Sequence, residues 1–401
     1  MQGCGTTSML NRVRLNASDP VRAASLALER RAADLVPGGA PAEEAPLYLR
    51  RGSGARVWDV DGNEYLDYRM ESGTVCLGHA HPGVDEAVRA QLRDAAGGCG
   101  RHPLEVEVAE QVRALVPNTG VVVLGPAEAE LRRTAIRLAQ VATGRTAVLR
   151  CGEPGGDGAW AGLRASRLDA GDLAAAARAI DQATAGVVVE AAVLEDPAPG
   201  FLAGLRELCR RHRALLMFDE AATGFRAALG GAQQRHGVAA DLAWSSRTIA
   251  NGLSLAALTV APGLPASVPG AATGARPDLL SLAAAKATLA ELQDSGAPAR
   301  LARLGRRLKD GYNAMAATLG LRGTAAVGPD DHPRIQFDPQ WNDGGRQALR
   351  VRRELLRRGI LCDGVHYFSL SHGESDVTYT LSAYRDILVL LRRTAGAPGR
   401  G

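Results

Sequence analysis

The sequence predicts an α/β fold built on a mostly parallel sheet, with a smaller α+β domain after it. Short apolar runs, typical of buried strands, occur between segments with helical spacing of apolar residues. Such an alternation of strands and helices is typical of a parallel sheet that helices cover on both faces. The predicted strands of this sheet are 121–125, 146–150, 186–194 and 214–220, and a predicted helix at 201–212 separates the last two.

The segments before this sheet have other patterns. Residues 20–36 have helical spacing and are followed by a Pro-Gly pair. Residues 56–68 alternate in polarity around Asp61-Gly62, which predicts a β-hairpin. Helices are predicted at 81–96 and 104–117.

The pattern changes after about residue 275. The later predicted elements are helices at 278–293, 300–319, 346–359 and 383–393 and a strand at 333–337. We therefore expect an N-terminal segment (1–75), a large α/β domain (76–277) and a small C-terminal α+β domain (278–401).

Composition excludes several classes of protein. The chain has 401 residues, of which 46% are hydrophobic and 22% charged, the balance of a globular protein rather than a disordered one. A net charge of +4 is too small to indicate a nucleic-acid surface. No apolar run approaches the roughly 20 residues of a membrane span, and the N-terminus has no apolar signal core. We expect a cytoplasmic protein with a small-molecule substrate and no membrane or nucleic-acid partner.

Cysteine and histidine give no pattern of a disulfide frame or a metal site. The six cysteines include no CxxC pair, as expected for scattered reduced thiols. His79 and His81 form the one close histidine pair, without a third ligand in the sequence around them, so we expect no metal.

Several stretches, in order along nearly the whole chain, resemble class III aminotransferases, particularly proteins like glutamate-1-semialdehyde aminomutase. They are LVPGG (35–39), GARVWDVDGNEYLDY (54–68), LGHAHPGV (77–84), HPLEVEVAEQV (102–112), FDEAATGFRAALGGAQ (218–233) and LSHGESD (370–376). The resemblance implies the type I fold of pyridoxal-phosphate (PLP) enzymes and a homodimer with active sites at the subunit interface. It also implies that Asp219 matches the carboxylate that pairs with the pyridine nitrogen of PLP.

The same comparison shows differences at the PLP pocket. The family's PLP-binding lysine falls at Arg247, and a guanidinium does not form the bond to PLP that a primary amine forms. The family's phosphate-binding NSGTEA matches LGPAEA (124–129), in which Pro126 has no N–H to donate. The family's ring-stacking Tyr falls near Glu153, with Trp160 as a partial substitute. Ala221 replaces a ring-packing Val, and a phosphate-binding Thr from the neighbouring subunit matches Thr273 only after a one-residue shift.

These differences predict a protein without a cofactor. The favoured interpretation is a PLP-independent enzyme on an aminotransferase scaffold, acting on an aldehyde, imine or amino-acid-like intermediate in bacterial specialised metabolism. Cyclisation, condensation, dehydration and isomerisation are the reaction types considered. One alternative is a non-catalytic pseudoenzyme that binds another pathway enzyme. The other is a PLP- or pyridoxamine-phosphate (PMP)-dependent aminotransferase or aminomutase that works without a PLP-bound lysine.

The candidate catalytic residues are Asp219, Glu220 and Arg247. A carboxylate at the end of an apolar strand can have a raised pKa and act as an acid or base, although Asp219 can equally be a structural acceptor or pair with Arg247. Arg247 can bind a substrate carboxylate or phosphate, or fill the pocket as an internal ion pair. The candidate substrate-binding residues are Glu71, Ser72, Arg101, His102, Trp160, His366 and Tyr367.

Structural roles compete with some of these functions. His102 also suits the start of a helix, and His372 is expected to be structural. Lys286, one of only two lysines, lies on an apolar helix stripe and is expected to extend its ammonium to water. Cys151 ends a predicted strand and is a weak candidate nucleophile.

Overall fold

The structure is a computed structural model that describes residues 20–33, 35–36, 47–97, 100–152, 165–169, 171–190, 194, 196–246, 248–265 and 276–395. Two predicted site residues, Arg247 and Trp160, lie outside the described residues. The predicted roles of Glu153 and Thr273 also fall outside them.

Seven strands form the largest sheet among the described residues, in the order β4-β10-β9-β8-β7-β5-β6. Its strands are β4 (Val121–Gly125), β5 (Ala147–Cys151), β6 (Ala165–Leu168), β7 (Thr184–Val189), β8 (Leu215–Asp219), β9 (Leu242–Ser245) and β10 (Ala256–Val260). Strands β5 to β9 pair in parallel, whereas β10 is antiparallel to both of its neighbours. The predicted mostly parallel sheet is confirmed.

Helices cover both faces of this sheet because its strands are apolar on both sides. They include α4 (Glu128–Thr143), α5 (Leu173–Ala179), α6 (Phe201–His212) and α7 (Gly231–His236). Val188 and Met217 pack into the cluster that holds the buried face of α4. Their neighbours Val187 and Leu216 pack into the cluster that holds α6, as the alternation of side chains along a strand requires.

A four-stranded sheet combines three strands from the N-terminal part of the chain with one from the C-terminal part. Its strands are β1 (Leu49–Ser53), β2 (Arg56–Asp59), β3 (Glu64–Asp67) and β13 (Ile360–Leu361), in the order β1-β2-β3-β13. β2 and β3 form the predicted antiparallel hairpin. β13 pairs in parallel with β3, so residues of the N-terminal segment and of the C-terminal part share one sheet.

The remaining elements surround these two sheets. They are α1 (Ala23–Ala32), α2 (Pro82–Asp94), α3 (Pro103–Leu115), α8 (Leu279–Asp294), α9 (Ala297–Thr318), β11 (Thr324–Val327), β12 (Arg334–Phe337), α10 (Pro339–Asn342), α11 (Arg346–Arg357) and α12 (Glu374–Ala395). α12 begins nine residues earlier than its predicted start at 383, because its first turn is polar and lacks an apolar stripe. Across the described residues, no helix is long and apolar enough to cross a membrane.

A buried ion pair links the segment that follows β8 to the C-terminal part of the chain. Arg226, which is 1% exposed, lies with its Nε 2.9 Å from Oδ2 of Asp331. Its NH2 donates to the carbonyl oxygens of Asp331 (3.1 Å) and Phe368 (2.6 Å), and its NH1 donates to the carbonyl oxygen of Gly73 (3.3 Å). One guanidinium therefore holds three separate chain segments together.

We expect Arg226→Met to lower the free energy of unfolding by about 3 kcal/mol, because it leaves the Asp331 carboxylate buried with less compensation. Urea denaturation at pH 7 measures this. Arg210→Met is the control, since Arg210 is exposed and pairs with Glu207 on the same helix, and we expect it to cost less than about 1 kcal/mol. Equal losses in the two variants would contradict the role assigned to Arg226.

Candidate functional site at the carboxyl ends of the central strands

The carboxyl ends of four neighbouring parallel strands bring charged and polar side chains to one edge of the sheet. Arg150 is the second-last residue of β5, and Asp219 is the last residue of β8. Glu190 directly follows β7, and Ser246 directly follows β9. Ligands of open parallel sheets bind at this edge.

Asp219 is a buried acid at this edge, and one of its two oxygens has no hydrogen-bond partner among the described residues. The residue is 8% exposed, and its Oδ1 accepts a hydrogen bond from the Ala221 amide at 3.1 Å. Within the part of the chain that is described, Oδ2 has no hydrogen-bond partner or ion pair. Burial, reinforced by the negative charges of Glu128 and Glu190, raises the pKa of Asp219 to about 7.

Glu220 points away from Asp219, as expected for the next residue along an extended chain. Its Oε2 accepts a hydrogen bond from the Ala232 amide at 2.5 Å, at the start of α7. A Cβ at Gly231 would lie 1.8 Å from the same oxygen, so this glycine makes room for the carboxylate. Burial raises the pKa of Glu220 to about 8. The structure therefore places Glu220 against a helix start, apart from the Asp219 carboxylate with which it was predicted to act.

Glu128 is the first residue of α4 and reaches across to the end of β9. Its Oε2 accepts a hydrogen bond from the Ser246 hydroxyl at 2.9 Å. Its Oε1 lies 3.4 Å from NH1 of Arg132, one turn further along the helix. Glu128 raises the pKa of Asp219 and Arg132 lowers it, which places both charges within electrostatic range of that carboxyl.

Glu190 and Arg150 form a second ion pair at the same edge. Oε1 of Glu190 lies 2.9 Å from NH1 of Arg150, and the two side chains are 15% and 4% exposed. A Cβ at Gly152 would lie 1.8 Å from Oε2 of Glu190, so this carboxylate rests directly on the backbone of Gly152.

Sequence analysis missed Glu128, Arg132, Arg150 and Glu190 as site residues. The predicted strand 186–194 placed Glu190 inside a strand, whereas β7 ends at Val189 and leaves Glu190 at the strand end. The available indication of a site at Glu190 was a charged residue directly after the three apolar residues Val187–Val189.

Glu71 lies at a different opening, a cavity of about 510 Å³ lined also by His79, His81 and Asn251. Met70, Glu71 and Ser72 all have positive φ angles, of 43°, 52° and 57°. Left-handed backbone costs about 1–2 kcal/mol per non-glycine residue, and such strain is concentrated at functional sites. The predicted substrate-binding pair Glu71-Ser72 therefore stands on a strained turn.

Tyr367, from the C-terminal part of the chain, packs against this turn. A Cβ at Gly73 would lie 2.7 Å from the ring carbon Cδ1 of Tyr367. The ring stacks on His332 with centroids 5.4 Å apart, and the Arg226 guanidinium lies 5.4 Å from its centroid. Tyr367 therefore lies beside Gly73, the residue that follows Glu71-Ser72, and its role in substrate binding stays a prediction.

The structure does not support the prediction that His366 binds substrate. It is fully buried, and its Nε2 hydrogen bonds with the Tyr384 hydroxyl at 2.9 Å. Burial lowers the pKa of His366 to about 3, so the ring is neutral. His372 is also fully buried, in accord with a structural role.

Arg101 is exposed just before α3, and His102 caps that helix. The Nδ1 of His102 accepts from the Leu104 amide, and Glu105 completes a capping box, the structural role that was the alternative for His102. Burial raises the pKa of Cys151 to about 11, which opposes a thiolate role.

Both lysines of the chain make ion pairs on other elements. Nζ of Lys286 lies 2.6 Å from Oε2 of Glu107, with the lysine side chain 50% exposed. Nζ of Lys309 lies 2.5 Å from Oδ1 of Asp330. Because half of the Lys286 side chain is exposed, its expected outward direction agrees with the structure.

Asp219 is buried at the carboxyl end of a parallel strand, near the start of the helix that follows the first strand of the sheet. This fold and site are those of the type I PLP-dependent transferases. An omega-transaminase from Sphaerobacter thermophilus has this fold, with a TM-score of 0.80 and 25% identity over 92% of this chain and 98% of that one. A lysine-to-alanine variant of a glutamate-1-semialdehyde aminomutase from Pseudomonas aeruginosa PAO1, in complex with PMP, superposes with a TM-score of 0.79 at 22% identity, over 92% of this chain and 94% of that one.

The chain belongs to the class III aminotransferases. The family model "Aminotransferase class-III" matches residues 39–154 and 164–323. A glutamate-1-semialdehyde 2,1-aminomutase from Desulfitobacterium hafniense (strain DSM 10664 / DCB-2) is 31% identical over 393 residues, covering 86% of this chain and 91% of that protein. A protein of the same name from Roseiflexus castenholzii is also 31% identical, over 88% of this chain and 92% of that protein.

These relatives correct the favoured functional interpretation. The prediction of an enzyme or pseudoenzyme that has lost PLP binding and transamination is wrong, because the similar proteins are aminomutases and transaminases, one of them described with PLP bound. They support instead the alternative of a PLP- or PMP-dependent aminotransferase or aminomutase.

The raised pKa of Asp219 predicts a loss of stability as pH increases. The folded state holds this proton up to about pH 7, whereas the free side chain loses it near 3.8. Between these values the folded state binds more protons, so stability falls with increasing pH and is level above them. We expect Asp219→Asn to reduce the loss between pH 5 and pH 7 by about 2 kcal/mol, measured by urea denaturation at each pH.

Asp310→Asn is the control, because Asp310 is exposed on α9. Glu220 has a raised pKa too, so part of the pH dependence remains in Asp219→Asn. An Asp219→Asn profile that superposes on that of the unsubstituted protein would contradict a buried, proton-holding Asp219.

Proposed function

We propose that this protein is a vitamin B6-dependent enzyme that transfers or relocates an amino group on a small amino or carbonyl compound. Family membership and the name shared by its curated relatives support the reaction class. The buried Asp219, with Oδ2 directed to no other described group, is the single structural observation that carries the proposal.

The residues fit the ring end of the cofactor. A protonated pyridine nitrogen is a donor of the kind that Oδ2 of Asp219 lacks. Because opposite charge favours an ionised carboxylate, such a partner would lower the raised pKa of Asp219. When bound, the cofactor supplies a conjugated ring that draws electron density from the carbon bearing the amine.

The chain's own residues would position the reactants around this ring. Asp219 would hold the ring nitrogen, and Glu190 and Arg150 form an ion pair between the ends of the neighbouring strands β7 and β5. The ion pair holds the Glu190 carboxylate against the backbone of Gly152. Arg150 balances its charge in a site that is largely closed to water. Burial of Asp219 excludes water from the ring-nitrogen contact, which strengthens its hydrogen bond.

The positions of the lysines favour a non-covalently held cofactor in its amino form. Lys286 and Lys309 are both engaged in ion pairs on outer helices. The aminomutase variant from Pseudomonas aeruginosa, in which a lysine is replaced, is a protein of this fold described with PMP. We therefore propose PMP as the form that this chain binds, with Asp219 as the principal anchor.

We expect purified protein to bind PMP saturably and Asp219→Asn to weaken that binding by about tenfold or more, since it removes a charged hydrogen bond of about 1.5–3 kcal/mol. Isothermal calorimetry and the PMP absorption band give the two dissociation constants. Asp310→Asn should bind as the unsubstituted protein does.

A second measurement tests the non-covalent attachment. After incubation with PLP, borohydride treatment and peptide mass spectrometry should find no pyridoxyl group at stoichiometric yield, and Lys286→Ala should bind PMP normally. The absence of saturable binding of both PMP and PLP would refute the proposed function. Stoichiometric labelling of Lys286 or Lys309 would refute the non-covalent part.

We also propose that the protein is a homodimer with its sites near the subunit boundary. Leu92 on α2 and Val106 on α3 are 56% and 59% exposed, and both helices pack against α8 through their other faces. The proposal rests on the homodimer that the class III aminotransferase family implies, and these two side chains are proposed as part of the contact.

Sedimentation velocity tests this arrangement. We expect a dimer for the unsubstituted protein and a shift toward monomer for Val106→Glu, because a charge would be desolvated at the contact. Val141→Glu, at an exposed valine on α4, should remain dimeric. A monomeric unsubstituted protein would contradict the proposal.

A further inference from the structure

The edge of the central sheet opposite Asp219 borders another cavity. It has a volume of about 430 Å³, which is in the range of pockets that hold small molecules. Leu215, the first residue of β8, lines this cavity, whereas Asp219 is the last residue of the same strand. Because a strand rises about 3.3 Å per residue, these two residues lie about 13 Å apart. The cavity is therefore separate from the site around Asp219.

Positive charge predominates among the residues that line this cavity. The charged lining residues are Arg145, Arg206, Arg210, Arg213 and Asp241. Asp241 pairs with one of the four arginines, since its Oδ2 accepts a hydrogen bond from NH1 of Arg206 at 2.5 Å. Four arginines and one aspartate leave a net charge of +3 on the lining residues. A concave surface with charge of one sign concentrates ions of the opposite sign.

Arg145 is held in place by backbone groups rather than by an acid. Its NH1 donates hydrogen bonds to the carbonyl oxygens of Thr184 at 3.0 Å and His212 at 2.7 Å. No carboxylate in the described part of the chain forms an ion pair with it. Its full positive charge therefore stays beside the cavity.

Arg210 and Arg213 lie at the end of α6 and have little competition for a ligand. Arg210 shares the carboxylate of Glu207 with Arg211, at 2.8 Å and 2.9 Å, so one acid serves two guanidinium groups. The guanidinium of Arg213 has no hydrogen bond or ion pair among the described residues, and this residue is exposed. Donors of both arginines are thus available to an anion.

The end of α6 accounts for only part of this positive charge. Cations are favoured at the C-terminal end of a helix, where the dipole is equivalent to about half a negative charge. Arg211 and His212 lie in the same last turn but do not line the cavity. Half a charge is much smaller than the net charge of the lining residues, so a positive field remains for a ligand.

We propose that this cavity binds a small anion that contains a diphosphate group. Arg210 and Arg213 donate to the phosphate oxygens, and Arg145 and Arg206 add to the positive field. The planar guanidinium matches the geometry of phosphate oxygens. A single phosphate has five non-hydrogen atoms, and a cavity of this volume has room for two linked phosphates. Inorganic pyrophosphate and nucleoside diphosphates share this chemistry.

The test measures binding of pyrophosphate, ADP and orthophosphate by isothermal calorimetry at low salt. The variants are Arg210→Gln, Arg213→Gln and the combination of the two, which remove guanidinium groups that line the cavity. Arg211→Gln is the matched control, because Arg211 lies beside Arg210 on α6, pairs with the same Glu207 and is similarly exposed, at 65% against 69%. Arg211 does not line the cavity. Thermal unfolding confirms that each variant is folded before binding is measured.

We expect saturable binding of pyrophosphate with a dissociation constant below about 1 mM, weakened by added sodium chloride because exposed charges are screened. Each single cavity variant should bind at least about fivefold more weakly, since it loses charge-assisted hydrogen bonds. The combined variant should show no saturable binding, and Arg211→Gln should stay within about twofold of the unsubstituted protein. Tighter binding of ADP than of pyrophosphate identifies a nucleoside diphosphate as the ligand, and the reverse order identifies the inorganic ion.

Four results would overturn the proposal. They are the absence of saturable pyrophosphate binding, an equal loss in Arg211→Gln, unchanged binding in both single cavity variants, and orthophosphate binding as tight as that of pyrophosphate. An equal loss in Arg211→Gln would show that general surface charge suffices. Saturating PMP should leave the pyrophosphate affinity unchanged, and displacement by PMP would place the anion in the cofactor site instead. The inference does not rest on the proposed function, so a failure of PMP to bind leaves it standing.

Discussion

The parallel pairing of β7, β8 and β9 is the constraint on which the site depends. Because Val189 pairs with Phe218 and Asp219 pairs with Trp244, the three strands end at nearly the same level. The residues that follow are therefore delivered to one edge, although they are distant in sequence. A shift of one residue in this register would turn Asp219 toward the α6 face and separate it from Glu128 and Glu190.

The acids at this edge differ in how closely an arginine balances their charge. Glu190 is neutralised by Arg150, and Glu128 is partly neutralised by Arg132. Asp219 has no such partner among the described residues, and burial makes its ionised form costly. A buried acid with a raised pKa at the carboxyl end of a parallel strand is a candidate for a functional group.

Much of the fold could be predicted from the sequence because it follows from local patterns. Strands β4, β5 and β8 and helix α6 were predicted within about one residue, since each is a compact apolar run or a periodic stripe. Strands β9 and β10 were not predicted, because their short, alanine-rich sequences do not distinguish a buried strand from a buried helix.

The site could be predicted only in part. Asp219 was identified from its strand-end position. The contact of Ser246 with Glu128 joins residues 118 positions apart, and no local pattern encodes it. The burial of His366 likewise follows from packing against Tyr68 and Tyr384, which sequence spacing does not show.

The acids at this edge act on one another through their charges. Glu128 raises the pKa of Asp219, and a cation at Asp219 would relieve the repulsion between the two acids. A protonated ring nitrogen is such a cation, so the proposed cofactor would offset part of the cost of ionising a buried carboxyl. The same contact would lower the pKa of Asp219, because an opposite charge favours the ionised form. Cofactor binding and the proton on Asp219 are therefore linked, and the affinity for a protonated ring should depend on the ionisation of this one side chain.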